Sequence, residues 1–235
     1  MTTDALPSGR KRDLAVSTVV LIVGAGTVAW LTRYNLQPYS VSSTPMAPAV
    51  RSWEEYLVVN LTALMLAPML VAWLTPGLTP VDFGWRAPGR AGARTAAAMF
   101  LAMLPVLAVA SRWPAFHDYY PIVPQAAMSW TMFTYHELSY GLYMLAWEWF
   151  YRGFLTHGLA RGYGAWTAVA LQALAFGIMH IGKPAPEIAG SFIAGVALGI
   201  VALRTRSFVP CFLTHWAVSI TFDVLAILWK PGGIL

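Results

Sequence analysis

The stretch Trp147-Glu148-Trp149-Phe150-Tyr151-Arg152-Gly153 places a carboxylate and a guanidinium four residues apart inside a strongly apolar run. Side chains at this spacing share one face of a helix, and glutamate on the N-terminal side of arginine is the better order for pairing. An ionised side chain near the centre of a bilayer costs about 2.5–3.5 kcal/mol on insertion scales. The pair is therefore either part of a functional site or a structural ion pair that joins two helices.

The composition of the whole chain is that of a membrane protein. Of its 235 residues 58% are hydrophobic and 11% are charged, whereas soluble domains carry about 25% charged residues. The net charge of +5 does not indicate a nucleic-acid partner, because the basic residues are spread among short segments between apolar runs. The single cysteine, Cys211, excludes an intramolecular disulfide and a cysteine-cluster metal site.

Apolar runs of spanning length predict an all-α, polytopic transmembrane bundle with about seven spans and the lipid bilayer as its surroundings. Between the third and fourth runs, residues 112–136 are irregular and rich in aromatic side chains, which suit the headgroup level of a membrane. The predicted spans are 14–31, 56–74, 95–110, 138–159, 166–181, 188–203 and 208–229.

The distribution of basic residues predicts the orientation. With the N-terminus inside, ten of the 15 lysines and arginines fall on the inner side or in the fourth span. The positive-inside rule therefore favours a cytoplasmic N-terminus and an outer C-terminus. We expect an integral, multi-pass protein of a bacterial inner membrane.

Polar side chains that do not suit lipid are concentrated in the last four predicted helices. At about 1.5 Å of rise per residue, Glu148, His180, His215 and Ser219 lie at depths of roughly 12–22 Å from the inner helix ends, so they are compatible with one cavity near mid-membrane. The polar positions are Glu148, Arg152, His157, Gln172, His180, His215, Ser219 and Asp223.

One carboxylate and two imidazoles in a wet pocket favour hydrolysis. Glu148 is suited to take a proton from water, with Arg152 holding it in place. His180 and His215, with the hydroxyl of Ser219, are suited to stabilise a developing oxyanion. Alternatively, Glu148, His180 and His215 bind a divalent metal such as zinc, which lowers the pKa of its bound water.

Other catalytic patterns are weaker. His136-Glu137 begins a zinc-protease motif, but Tyr140 stands where the second histidine is needed. Cys211 lies four residues before His215, which permits a thiol–imidazole dyad, although packing is the favoured interpretation. In the predicted sixth helix, Gly195 and Gly199 form a small-residue face that favours close helix packing.

Three motifs in order resemble the CPBP intramembrane proteases, the CAAX-protease and bacteriocin-processing group that includes the type II CAAX prenyl endoproteases. The family motif Glu-Glu-x-x-x-Arg corresponds to 147–152, Phe-x-x-x-His to Phe176 through His180, and His-x-x-x-Asn to His215 through Ser219. The resemblance covers roughly 138–223. The Trp-Glu form of the first motif is similar to sorting-type members such as the myxosortase-like proteases.

Two residues depart from the family pattern. Trp147 stands where the family has the first glutamate, which is usually assigned as the water-activating base. Glu148 would take over that role, although one residue is about 100° of helix rotation. Ser219 replaces the asparagine of the third motif, and its hydroxyl is a shorter donor.

The resemblance implies a four-helix catalytic core within residues 138–235, after an N-terminal region over 1–137 with three transmembrane helices. It implies a peptidase that acts on a membrane-associated protein or peptide, by CAAX-type or C-terminal sorting-tail processing, through a glutamic or a metal-dependent mechanism. An inactive membrane scaffold is the alternative, favoured by Trp147. A transporter is less favoured, because no inverted repeat or paired broken helix is visible.

Overall fold

The computed structural model describes residues 8–35, 47–230 and 234, of which 47–52 are described by backbone alone. Those residues form helices and connecting turns, and no strand occurs among them. The all-α prediction is therefore confirmed. The α-helices are α1 (Ser8–Asn35), α2 (Ala47–Leu61), α3 (Ala67–Leu74), α4 (Gly89–Ala110), α5 (Pro114–His117), α6 (Trp130–Glu148), α7 (Thr156–Tyr163), α8 (Ala165–Ile178), α9 (Ala185–Thr205) and α10 (Val209–Leu228).

Two π-helices and two short 3-10 turns complete the described part of the chain. The π-helices are Thr62–Leu66, between α2 and α3, and Trp149–Leu155, between α6 and α7, and they pack against each other. The 3-10 turns are Pro80–Phe83 and Pro124–Ala127. Helical hydrogen bonding therefore continues from α2 into α3 and from α6 into α7.

Five described segments are long and apolar enough to cross a membrane. The helix α8 is apolar but has 14 residues, and the path over 130–163 does not meet the same criteria of length and composition. The prediction of about seven spans therefore stays a prediction. The five segments are Ser8–Asn35, Trp53–Leu74, Gly89–Ala110, Ala185–Thr205 and Val209–Leu228.

The helix that carries Glu148 begins earlier than predicted. The side chain of Ser129 accepts a hydrogen bond from the backbone N–H of Met132 at 3.2 Å, which caps α6. The expectation that residues up to 136 are irregular and that the helix begins near 138 is therefore wrong. The predicted division between 137 and 138 remains a prediction, and α6 runs through it.

The π-helix Trp149–Leu155 lies at the centre of the fold, and all seven of its residues are buried. Immediately after it, the hydroxyl of Thr156 donates to the carbonyl oxygen of Tyr151 at 2.7 Å. π-helices are rare in proteins, and those that occur often lie at functional sites. The sequence predicts a regular α-helix here, whereas the structure has a π-helix.

Glycines bring the neighbouring helices close. In α9, a Cβ added to Gly195 would lie 2.9 Å from the Cα of Ala173 in α8. The amide nitrogen of Gln172 donates to the carbonyl oxygen of Gly195 at 2.7 Å. The predicted close packing at the small-residue face is confirmed, and it fixes α8 against α9.

Four segments that the charge pattern assigns to the inner side of the membrane meet at one end of the bundle. Arg161 lies 3.3 Å from Asp13 and 3.6 Å from Asp82. The hydroxyl of Ser207 donates to the carbonyl oxygen of Arg86 at 2.7 Å. The start of α1, the α3–α4 connection, the end of α7 and the α9–α10 turn therefore share one face, as the predicted topology requires. Residues 1–7 of the predicted cytoplasmic N-terminus lie outside the described residues.

Candidate active site

The ion pair expected from the opening stretch is present. Glu148 is the last residue of α6, and its Oε2 lies 3.2 Å from Nε of Arg152 in the π-helix. Both side chains have no solvent exposure. The two groups are not aligned for hydrogen bonding, and the three guanidinium nitrogens have no hydrogen-bond partner among the described residues. Charge attraction therefore holds the buried pair.

His215 of α10 joins this pair. Its Nδ1 lies 2.7 Å from Oε1 of Glu148, and 19% of the histidine side chain is exposed. An ionised carboxylate only accepts hydrogen bonds, so Nδ1 of His215 carries the proton. In the neutral ring, Nε2 then keeps a free lone pair. Glu148 thus fixes both the orientation and the tautomer of the more accessible His215.

The ring of Phe176, in α8, connects the parts of the site. The guanidinium carbon of Arg152 lies 4.0 Å from its centroid, a cation–π distance. The imidazole centroids of His180 and His215 lie 4.5 and 6.0 Å from the same ring. The structure therefore brings Glu148, Arg152, His180 and His215 around one phenylalanine, which is the first residue of the second motif.

His180 is oriented by its own backbone. Its Nδ1 lies 2.7 Å from the carbonyl oxygen of Phe176, and the residue is 4% exposed. A carbonyl oxygen accepts, so Nδ1 is the donor and Nε2 of the neutral ring is an acceptor. Only the protonated ring could donate to an oxyanion through Nε2.

Trp147 occupies the place where the family has a carboxylate. Its indole ring packs edge-on against His180 with centroids 5.7 Å apart, and it also contacts Tyr143, Tyr151 and Phe176. The indole N–H is buried and has no hydrogen-bond partner in the described part of the chain. Trp147 thus lies on the His180 side of the helix, while Glu148 contacts His215.

Ser219 is placed differently from its predicted role. Its hydroxyl donates to the carbonyl oxygen of His215 at 3.0 Å, one turn back in α10. The hydroxyl proton of Ser219, which was expected to bond an oxyanion, instead bonds a backbone oxygen of its own helix. Cys211, considered as part of a thiol–imidazole dyad, likewise donates to a backbone oxygen, that of Leu198.

The predicted metal-ligand set of Glu148, His180 and His215 does not fit a metal ion in this geometry. Across the described residues, the only group of three or more metal-ligating side chains with ligand atoms within 4.8 Å of one another lies elsewhere. The guanidinium beside Glu148 also opposes a cation there.

That other group is His136, Glu137 and Asp223, on α6 and α10. The sequence pattern indicates the His136-Glu137 pair and Asp223 separately and predicts no contact between them. The signal available was a second set of ionisable side chains on the two helices that carry Glu148 and His215.

These features define an integral membrane protein with a buried Glu–Arg–His cluster between three helices. Residues 129–221 match the family of type II CAAX prenyl endopeptidase Rce1-like proteins. The match begins at Ser129, the cap of α6, and confirms the resemblance to the CPBP proteases for this part of the chain. No curated protein and no solved structure matches the chain.

Proposed function

We propose that the protein is an intramembrane endopeptidase that hydrolyses a peptide bond of a membrane-associated protein. The observation that carries the proposal is the 2.7 Å contact between Glu148 and His215. These residues belong to the first and third motifs, lie 67 positions apart, and fall inside the segment that matches the endopeptidase family. A solvated histidine paired with a buried carboxylate is a recurrent means of activating water.

The geometry favours His215 as the immediate base. Both oxygens of Glu148 are covered, one by His215 and one by Arg152, and the carboxylate has no exposure. Nε2 of His215 would take a proton from water as the oxygen attacks the scissile carbonyl carbon. Glu148 would stabilise the resulting imidazolium, which then protonates the leaving amine as the C–N bond breaks. This departs from the expectation that Glu148 itself removes the proton.

We propose the indole N–H of Trp147 as the donor for the oxyanion. It is buried beside His180 and has no hydrogen-bond partner among the described residues. An oxyanion donor placed in advance contributes about 10²–10³ in kcat. The tryptophan would therefore supply a function that the Ser219 hydroxyl, engaged by its own helix, does not.

The substrate belongs to the same proposal. The name of the matched family favours C-terminal CAAX-type substrates, and the Trp-Glu motif favours the sorting tails cleaved by myxosortase-like members. We also propose a cytoplasmic N-terminus in a bacterial inner membrane. The orientation is supported by the excess of basic residues in the segments that meet at the Arg161 end of the bundle. Cysteine-accessibility labelling at residues 86 and 230 would test the orientation.

The test compares membrane proteomes of cells with the wild-type protein, with His215→Gln, and without the protein, with C-termini mapped by mass spectrometry. Uncleaved tails present in both altered strains, at normal levels of the His215→Gln protein, would support the proposal and identify the substrates. Tails cleaved normally with His215→Gln, but not in the deletion, would exclude the histidine as the base.

A non-enzymatic scaffold is the second candidate. It is favoured by the replacement of the family's first glutamate by a packed tryptophan and by the engaged hydroxyl of Ser219. A scaffold predicts that the deletion changes the membrane proteome while His215→Gln, if folded, does not. A metal-dependent mechanism stays a prediction, and a loss of bound metal in His215→Gln relative to the wild-type protein would support it.

A further inference from the structure

The second cluster of ionisable side chains lies deep between α6 and α10. His136, Glu137 and Asp223 are 0%, 6% and 3% exposed. Nε2 of His136 lies 3.1 Å from Oδ2 of Asp223. One ligand atom from each of the three residues lies within 4.8 Å of the other two. The proposed reaction uses none of these side chains.

The charge of this cluster is not balanced by the described protein groups around it. Both carboxylate oxygens of Glu137 are fully buried, and no group of the described residues donates to them unless a proton lies between Glu137 and Asp223. The ammonium groups of Lys183 and Lys230 both act on the charge of Asp223, but neither forms an ion pair with the cluster, and that of Lys183 is paired with Glu187 at 2.7 Å. Two buried carboxylates beside one imidazole require a cation, or a proton, to offset their desolvation and mutual repulsion.

The dimensions suit a small divalent ion. Bonds of about 2.0–2.2 Å from zinc to histidine nitrogen and carboxylate oxygen, in tetrahedral geometry, place ligand atoms roughly 3.3–3.5 Å apart. The 3.1 Å between His136 and Asp223 is near that separation, and the other separations, which are at most 4.8 Å, would shorten by up to about 1.5 Å on binding. One imidazole nitrogen and two carboxylate oxygens are a ligand set for zinc or a similar first-row ion.

We propose that His136, Glu137 and Asp223 bind a divalent transition-metal ion of the zinc class that joins α6 to α10. At 1.5 Å of rise per residue, His136 lies about 18 Å along its helix from Glu148, and Asp223 about 12 Å from His215. The indole N–H of Trp216 in α10 already donates to the carbonyl oxygen of Glu137 at 3.0 Å. The ion would thus fix the relative position of the two helices whose residues meet in the Glu148–His215 pair.

The test measures metal content rather than activity. The full-length protein is purified in detergent, loaded with Zn²⁺ and dialysed. We then expect one zinc per chain, measured by inductively coupled plasma mass spectrometry. Asp223→Asn and Glu137→Gln are each expected to weaken zinc binding by at least tenfold. Asp82→Asn, which pairs with Arg161 instead, is the control for a carboxylate outside the cluster, and His180→Gln is the control for the first site.

Two results would overturn the proposal. One is a wild-type protein that holds no zinc above the Asp223→Asn level, which would leave a shared proton as the balancing charge. The other is zinc that is lost in His180→Gln and kept in Asp223→Asn. Should a variant not fold, the wild type still decides: a chelator must lower its melting temperature and added Zn²⁺ must restore it. Because no activity is measured, failure here does not affect the proposed hydrolysis.

Discussion

The indole of Trp147 packs edge-on against the imidazole of His180, with ring centroids 5.7 Å apart and an interplanar angle of 80°. At this position the CPBP motif has a glutamate. The neighbouring Glu148 contacts a different histidine, His215. The substitution therefore separates the two histidines of the site: one is paired with a carboxylate and the other with an aromatic ring.

Replacing Trp147 by phenylalanine separates its packing from its N–H. Phenylalanine keeps the contacts with His180 and Phe176 and removes the buried donor, so we expect kcat to fall about 10²–10³-fold at nearly constant KM. Cleavage of a tail peptide identified from the proteome provides the measurement. Wild-type kcat in Trp147→Phe would leave the tryptophan with a packing role alone, and Phe150→Leu serves as a control for aromatic packing.

The Glu148–Arg152 pair leads us to expect a strong effect on stability from a single substitution. Glu148→Gln leaves the fully buried guanidinium of Arg152 without a counter-charge, and breaking a buried pair in this way costs about 3–5 kcal/mol. Glu148→Gln together with Arg152→Gln removes both charges and should recover most of the lost melting temperature. Equal melting temperatures for the single and double variants would contradict this account.

His215 offers a cleaner test of catalysis than Glu148. Its side chain is partly exposed and its described polar side-chain contact is with Glu148, so His215→Gln should change the melting temperature less than Glu148→Gln does. Because the proton acceptor is lost, we expect turnover to fall by about 10²–10⁴-fold. A His215→Gln protein that retains wild-type turnover would show that another group activates the water.

The α8–α9 contact gives a packing prediction with a matched control. A methyl group at Gly195 would lie 2.9 Å from the backbone of Ala173, so Gly195→Ala should destabilise the protein by about 1–3 kcal/mol. Gly190 is in the same helix with nothing within 4 Å of an added Cβ. Gly190→Ala should therefore be neutral or slightly stabilising. Melting temperatures in detergent compare the two, and a similar loss in both would refute the close contact.

We expect the contribution of Asp82 to the stability of the protein to depend on pH. This residue lies near Arg161 at one end of the bundle. Partial burial raises the pKa of this carboxyl, but hydrogen bonds from Thr79 and the charge of Arg161 outweigh it and hold the pKa below its ordinary value of 3.8. The stabilisation is thus present above pH 3.8 and is lost as the pH falls through the lowered value. We expect Asp82→Asn to lower stability by less than about 1 kcal/mol at pH 7, since the group is partly exposed. Denaturant melts at pH 7 and pH 3 should show the difference shrinking, and a constant difference would contradict the assignment.

Local patterns in the sequence predicted the helices and much of the site. The Glu148–Arg152 pair follows from i, i+4 spacing, and the Gly195 contact follows from small residues on one face. The start of α6 was missed because the aromatic residues after Ser129 suit both an interfacial loop and a capped helix. The capping residue was the available signal.

Features that depend on long-range contacts could not be predicted. His136 and Asp223 are 87 residues apart, and only the packing of α6 on α10 brings them together. The direction of the Ser219 hydroxyl is a choice between a distant partner and its own backbone, and the backbone bond formed. Motif spacing contains no information on either outcome.

The π-helix over Trp149–Leu155 also limits how this sequence can be drawn on a helical wheel. Each residue added to an i→i+4 ladder turns the following chain by about 100°, so a wheel begun at Trp130 assigns the wrong faces to Thr156–Tyr163. Gly158 and Gly162 pack against α1. Such a wheel would place them on the wrong face relative to the residues before the π-helix. A one-residue deletion within this segment would therefore swing α7 away from α1 rather than merely shorten the helix.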